Sequence, residues 1–443
     1  MRPVTGGESL KRSLARLLPL LALLLFLGGC SAADDIDRYF ALPRPVEEYS
    51  SLSALLEEAL SSGYEFASPV DGEFRQNVRM RDLDGDGTAE AAVFLRSVST
   101  GMVEARFYRQ GKNGYEQALS LPGMGIAVES ADFADLDGDG LDELIAVYRS
   151  GAELGLMQVN RLSGWGGEVM LSERCSRFLV SDLDGDGRND LVAVALTGSS
   201  PAVTVYTFPK GSETLSYSAS LSRGIDRCVR CRCCTLEGNT PAVLVESFLG
   251  TGELVSDLFT LVEGYLFNIT LDVNTGVSRT ARSYAVYAAD IDNDHFLEIP
   301  MPSALFSQSF TDRYRALSWL GYSRYGQFQI KLETYHCYSD GWYLELPPLW
   351  SSSLTVRRSD EAAGERSVIL SDINRSTGDI TDKLIIYTLS GENRSERARL
   401  AGRFVLAEND SVVYAARILS DFTEDEVRQR FHLIYSEWSP GSL

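Results

Sequence analysis

Hydrophobic and polar positions change rhythm twice along the chain. An apolar run from Leu17 to Leu27, preceded by Arg2, Lys11, Arg12 and Arg16, has the shape of a secretory signal. It is roughly half of the ~20 residues that a bilayer span requires. After a polar stretch from Ser31 to about Pro45, Tyr49, Leu52, Leu55, Leu56, Ala59 and Leu60 fall at helical spacing, with Glu47, Glu48, Glu57 and Glu58 on the other face. That spacing predicts one short amphipathic helix. From about residue 70, short apolar runs, alternating or continuous, are separated by Gly, Asp, Ser and Asn, which is the rhythm of β-strands.

One phrase recurs within the β region. It reads Asp82-Leu-Asp84-Gly85-Asp86-Gly87-Thr88-Ala-Glu90, then Asp135-Leu-Asp137-Gly138-Asp139-Gly140-Leu141-Asp-Glu143, then Asp182-Leu-Asp184-Gly185-Asp186-Gly187-Arg188-Asn-Asp190. A fourth copy, Asp290-Ile-Asp292-Asn293-Asp294-His295-Phe296-Leu-Glu298, has both glycines replaced. The copies starting at 82, 135 and 182 are about one period apart, whereas 182 to 290 is two periods. A decayed copy is therefore expected halfway, and Thr235-Leu236-Glu237-Gly238-Asn239 followed by Ala242 to Glu246 fits it. Five units of about 50 residues then cover roughly 72 to 336, a period that signals a propeller, solenoid or array. In the first unit strands are predicted at Asn77–Arg81, Glu90–Leu95, Met102–Tyr108 and Tyr115–Leu121. Four antiparallel strands per unit make a propeller blade, so the expected fold is mainly β: a β-propeller of four-stranded blades with DxDGDG loops.

The phrase has the composition of a cation site. Carboxylates at positions 1, 3 and 5 can turn inward around one ion, position 7 adds a backbone carbonyl (Thr88, Leu141, Arg188, Phe296), and the acid at position 9 closes the shell. These are the oxygen ligands that Ca²⁺ takes, whereas Mg²⁺ demands a stricter octahedron. Glycines at positions 4 and 6 supply left-handed backbone angles. In the fourth copy Asn293 tolerates such angles while His295 stands where a glycine is expected. An EF-hand would need a glutamate at position 12 and flanking helices; here strand-like runs follow position 9, and that reading falls.

D-x-D-G-D-G-x-x-[DE], repeated at this interval on four-strand units, resembles the FG-GAP/VCBS repeats of integrin-type β-propellers. The resemblance implies that the acids at positions 1, 3, 5 and 9 ligate calcium and that the ions stiffen loops at one face of a propeller. It implies no shared ligand, since such propellers serve adhesion, enzyme and scaffold roles. Complete integrin-type propellers usually have seven blades, and five units are clear here. Leu27-Gly28-Gly29-Cys30 similarly resembles the bacterial lipobox, which implies cleavage before Cys30 and a lipid on its thiol.

Beyond Tyr338 no acidic phrase occurs. Strands are predicted at Leu354–Arg357, Ser367–Leu370, Lys383–Tyr387, Arg403–Leu406 and Val412–Ile418, and a capping box at Thr423 and Glu426 opens a helix through about Leu433. The expected organisation is a signal at 1–29, a tether and helix at 30–69, the repeats at 70–336 and a small α+β module at 337–443. Trp342, Trp350 and Trp438 are read as core residues, with ligand contact as the alternative. If Cys228, Cys231, Cys233 and Cys234 lie on a strand, the first and last face away from the middle pair. They then cannot converge on a soft metal, and disulfides or buried thiols read better.

Acids outnumber bases 62 to 41, a formal charge of −21. Removing residues 1–29 takes away four bases and Glu8, which leaves −24 and speaks against nucleic acid as a partner. His295, His336 and His432 stand alone, and no metalloprotease, nucleophile-elbow, phosphate-loop or dinucleotide phrase occurs. The expected protein is an extracytoplasmic, calcium-binding lipoprotein, anchored to a bacterial membrane and holding an envelope protein or a glycan as a binding, adhesion or scaffold module. The alternative is a carbohydrate-active enzyme using carboxylates alone, a hydrolase or lyase.

Overall fold

The structure, a computed structural model, describes residues 49–434 apart from 73, 152–154, 197–199, 211, 307–313 and 401. The signal run, Cys30 and Trp438 lie outside the described residues. Helix α1 (Ser50–Ser61) forms where its apolar spacing predicts it and buries Leu52 and Ala59. The Tyr115 backbone N–H donates to the Ser51 hydroxyl at 2.9 Å, and the Tyr49 and Tyr115 rings stand 6.2 Å apart. The helix and the 110–116 turn thus form one compact unit.

Antiparallel sheets make up most of what remains. In the first, β1 (Tyr64–Phe66) and β2 (Arg79–Arg81) pair with successive halves of β3 (Glu90–Ser97), followed by β4 (Val103–Gly111) and β5 (Gly114–Pro122). This sheet therefore begins at Tyr64, inside the segment expected as tether and helix, because β2 is too short to cover the edge of β3. The second sheet is β6 (Ala127–Ala134), β7 (Glu143–Arg149), β8 (Gly155–Arg161) and β9 (Glu168–Cys175). The third is β10 (Arg177–Ser181), β11 (Asp190–Ala195), β12 (Ala202–Thr207) and β13 (Leu215–Ser220). The fourth is β14 (Ile225–Leu236), β15 (Thr240–Leu249), β16 (Leu254–Val262) and β17 (Tyr265–Asn268). Strands within each follow chain order, as hairpin connections require.

A small hairpin, β18 (Leu271–Asp272) and β19 (Val277–Ser278), precedes the fifth sheet. That sheet runs β20 (Glu298–Ala304), β21 (Arg315–Tyr322), β22 (Phe328–Cys337) and β23 (Trp342–Glu345). The sixth contains β24 (Leu354–Ala362), β25 (Glu365–Ile373) and β26 (Ile380–Ser390), then the turn of helix α2 (Arg394–Arg397), then β27 (Phe404–Glu408) at the edge and β28 (Val412–Ile418) beside β26. The capping box of α3 (Glu424–Arg430) is present. The helix stops at Arg430 rather than Leu433, because β29 (Phe431–Leu433) pairs with β23 and carries Phe431 into the core. Residues beyond 337 thus supply two strands of the fifth sheet as well as the whole sixth sheet.

Side chains between successive sheets form the cores. One cluster joins Phe94 and Phe107 to Phe133 and Tyr148, the next Ile145 and Met157 to Leu191 and Phe208, and another Val192 and Val205 to Val243 and Phe259. Leu244 and Leu258 meet Ile299 and Leu320 in the same manner, and Trp342 and Leu344 meet Val356 and Leu384. Each fully buried Leu, Val or Phe contributes roughly 1.5–3 kcal/mol. Trp342 and Trp350 are core residues, and the Trp350 indole donates to Asp372 at 2.6 Å.

A bulge changes the cysteine geometry expected from strand parity. Between Cys228 and Arg230 the pairing of β14 with β15 shifts by one residue, so Cys228 stands opposite Ser247, Cys231 opposite Val245 and Cys233 opposite Val243. Cys228 therefore shares the face of Cys231 and Cys233, and Cys234 faces the other way. All six described cysteines are free thiols, and burial pushes the thiol pKa of Cys231 upward.

Candidate metal centres

The first three acidic phrases link β2 to β3, β6 to β7 and β10 to β11, and the fourth leads into β20, with Ala289 and Glu298 bridged across it; in each, the apolar second residue plugs the loop into the core. Leu83, Leu136, Leu183 and Ile291 are all buried. The same residue's backbone N–H donates to the ninth-position acid: Leu83 to Glu90, Leu136 to Glu143 and Leu183 to Asp190 at 2.9 Å, and Ile291 to Glu298 at 3.1 Å. This role for the second position was missed in the sequence, although its recurrence as Leu or Ile is a signal.

The first-position aspartate is held by both its oxygens. Asp82 accepts the N–H groups of Gly85 and Gly87 at 2.8 and 3.0 Å, and Asp135 and Asp182 accept the equivalent pairs. Gly87, Gly140 and Gly187 have φ near +90° there, which makes glycine the natural residue. In the fourth loop His295 adopts φ +73° and donates to Asp290 at 2.9 Å, while Asn293 adopts φ +60°. The third-position acids Asp84, Asp137, Asp184 and Asp292 each accept the N–H of the fifth residue. The fifth-position acids Asp86, Asp139, Asp186 and Asp294 accept the N–H of Thr88, Leu141, Arg188 and Phe296 at 2.7–2.9 Å.

These bonds gather carboxylate oxygens into small volumes. Asp82, Asp84 and Asp86 offer oxygens within 4.8 Å of one another, as do Asp135, Asp137 and Glu143, then Asp182, Asp184 and Asp190, and finally Asp290, Asp292 and Asp294. The ninth-position acid thus joins the group in the second and third loops, in place of Asp139 and Asp186, whereas the three aspartates make up the group in the first and fourth. Glu143 and Glu298 are fully buried, and each has one oxygen, Oε1, without a hydrogen-bond partner. Burial first, and then the surrounding carboxylates, push Glu143 up to about 7, Glu298 to about 8 and Asp190 to about 6. A divalent cation would satisfy the orphaned oxygens and offset the repulsion, so the donor set fits a hard metal ion.

Basic side chains reach three of the loops. Arg161 on β8 donates to Asp137 at 2.7 and 3.1 Å, Arg188 bonds Asp186, and Lys331 on β22 lies 3.5 Å from Asp294. Among the described residues none contacts the first loop's aspartates. No sequence signal points to Arg161 or Lys331, which are distant in the chain. Where the fourth unit lacks the phrase, Glu237, Gly238 and Asn239 make a tight turn between β14 and β15, and Glu237 pairs with Lys331 at 2.9 Å.

His336 is buried and stacked on Tyr343, and burial lowers its pKa to about 3; His432 pairs with Glu345 at 2.7 Å; His295 serves the backbone of the fourth loop.

No known protein family and no curated protein matches the chain. Among solved structures, that of rhamnogalacturonan lyase YesW matches with 13% identity over 72% of each chain, at a TM-score of 0.28. The chain is mainly β, built of antiparallel sheets of four or five strands and one small hairpin, with acidic groups at metal-binding distance.

Proposed function

We propose that the protein is an extracytoplasmic lipoprotein, anchored through Cys30, whose four-stranded sheets are the blades of a calcium-stabilised β-propeller of the FG-GAP/VCBS type. Its role is to bind an envelope protein or a glycan. One observation carries the calcium reading: a hydrogen-bonded cluster of three converging carboxylates recurs in four loops, and in two of them a fully buried glutamate oxygen has no partner. Asp82, Asp84, Asp86, Asp135, Asp137, Asp139, Asp182, Asp184, Asp186, Asp290, Asp292 and Asp294, with Glu90, Glu143, Asp190 and Glu298, would hold the ions. Calcium supplies crosslinking between carboxylates, and the chain's own hydrogen bonds aim those carboxylates. The binding role is supported by the sequence, in which no metalloprotease, nucleophile-elbow, phosphate-loop or dinucleotide phrase occurs.

The test is equilibrium dialysis on the mature chain in detergent, with retention on envelope fractions and polysaccharides measured in calcium and in chelator. Three or four bound ions, and retention that chelator abolishes without polysaccharide cleavage, are the expected results. Zero ions would remove the calcium reading, and cleavage would replace the binding role with an enzymatic one.

A further inference from the structure

Beside the second loop lies a cavity of about 350 Å³. Asp137 and Asp139 of the loop form one wall. Arg161 and Glu168, facing each other where β8 meets β9, form another, and Lys210 and Glu213, between β12 and β13, close the third. Buried Phe208 and half-buried Met170 make an apolar floor. Arg161 holds this arrangement together, donating from Nη1 to Glu168 at 2.6 Å and from Nη2 to Asp137 at 2.7 Å. Lys210 is exposed and has no partner among the described residues.

We propose that this cavity is a calcium-gated site for a carboxylated sugar, gripped by Arg161 and Lys210. The inference rests on the calcium reading of the loops. Without the ion, Asp137 neutralises Arg161 and the guanidinium is fully engaged. A dication held by Asp135, Asp137 and Glu143 takes up the negative charge of Asp137 and repels the guanidinium. One edge of the Arg161 fork is then released toward the cavity, while Glu168 keeps the other edge and fixes the side chain.

Two cations, one of them a planar fork, select a carboxylate, which an arginine can bind through two parallel hydrogen bonds. Glu213, Ser212 and Thr214 around it suit hydroxyl groups, and the volume is at the small end of ligand sites, room for about one sugar ring. The protein's acidity opposes long-range attraction of anions, so recognition is at short range and needs the ion.

The test uses the full chain in detergent and calorimetry with glucuronate, with glucose and a blocked aspartyl dipeptide as controls, in calcium and in chelator. Glucuronate binding that weakens at least tenfold in chelator, and at least tenfold in both R161M and K210M, is expected. Dialysis should still find the second loop's ion in both variants; Lys210, being exposed and unpartnered, can be replaced without threatening the fold. Ions bound without calcium-dependent glucuronate binding would overturn this proposal alone, as would preference for the dipeptide or for glucose. Absence of any bound ion would overturn it together with the calcium reading.

Discussion

At the scale of the residue, strain and burial mark two histidines. His295 holds a left-handed conformation that costs a side-chain-bearing residue roughly 1–2 kcal/mol, and it does so to deliver its N–H to Asp290. His295→Gly keeps that N–H and removes the strain, so the fourth loop should bind calcium about fivefold more tightly, as read by competition with a calcium indicator. His336 is the second case. Its ring is buried among Trp319, Tyr338 and Tyr343, and its Nε2 has no partner. Burial depresses its pKa from the usual 6.5 to about 3, so its contribution to stability is complete above 6.5 and lost as pH falls toward 3. Over that interval each pH unit costs up to about 1.4 kcal/mol. His336→Phe should flatten the acid limb of the urea midpoint between pH 6.5 and 4; an unchanged slope would assign acid lability elsewhere.

Among elements, the loops of neighbouring units touch in a repeated way. A Cβ on Gly85 would meet Leu141 at 3.0 Å, and one on Gly138 would meet the stem of Arg188 at 2.8 Å. The side chain of Asn189 donates to the Asp135 carbonyl at 3.1 Å, and Arg81, just before the first loop, pairs with Asp142 in the second. Each loop therefore leans on the glycine of the loop before it. The fourth has no such predecessor, because the unit before it carries only the turn at Glu237 to Asn239. Asp184→Ala should lose its own ion and also weaken the second loop about threefold, within the range for residues in contact, leaving the fourth unaffected in a calcium titration. Equal affinities at the other loops would mean that the contacts carry no coupling. Local pattern is what made most elements legible: the nine-residue phrase fixes a hairpin, and strands at Glu90, Met102 and Val412 fall within a residue or two of their predicted starts. The bulge after Cys228, the return of Phe431–Leu433 to β23 and the reach of Arg161 to Asp137 were illegible, since each depends on a partner remote in sequence.

For the whole molecule, charge governs the response to calcium and salt. The chain carries −21, and in four loops carboxylate oxygens of three acids stand within 4.8 Å of one another. Without an ion these clusters oppose folding, and mobile salt screens them over a Debye length of about 10 Å at 0.1 M. With an ion in place, each site adds roughly 2.7 kcal/mol when calcium is at about 100 times its dissociation constant. Sodium chloride should therefore raise the unfolding temperature in chelator, where it relieves repulsion, and have little effect in saturating calcium, where repulsion has already been neutralised. The first loop should fill before the others, because no arginine or lysine among the described residues contacts its aspartates, whereas Arg161, Arg188 and Lys331 compete at the second, third and fourth. Asp84→Ala should accordingly remove the tightest step of the titration and lower the unfolding temperature at low calcium, where wild type already holds one ion. If Asp292→Ala removed that step instead, the neighbouring cations would not be what orders the sites.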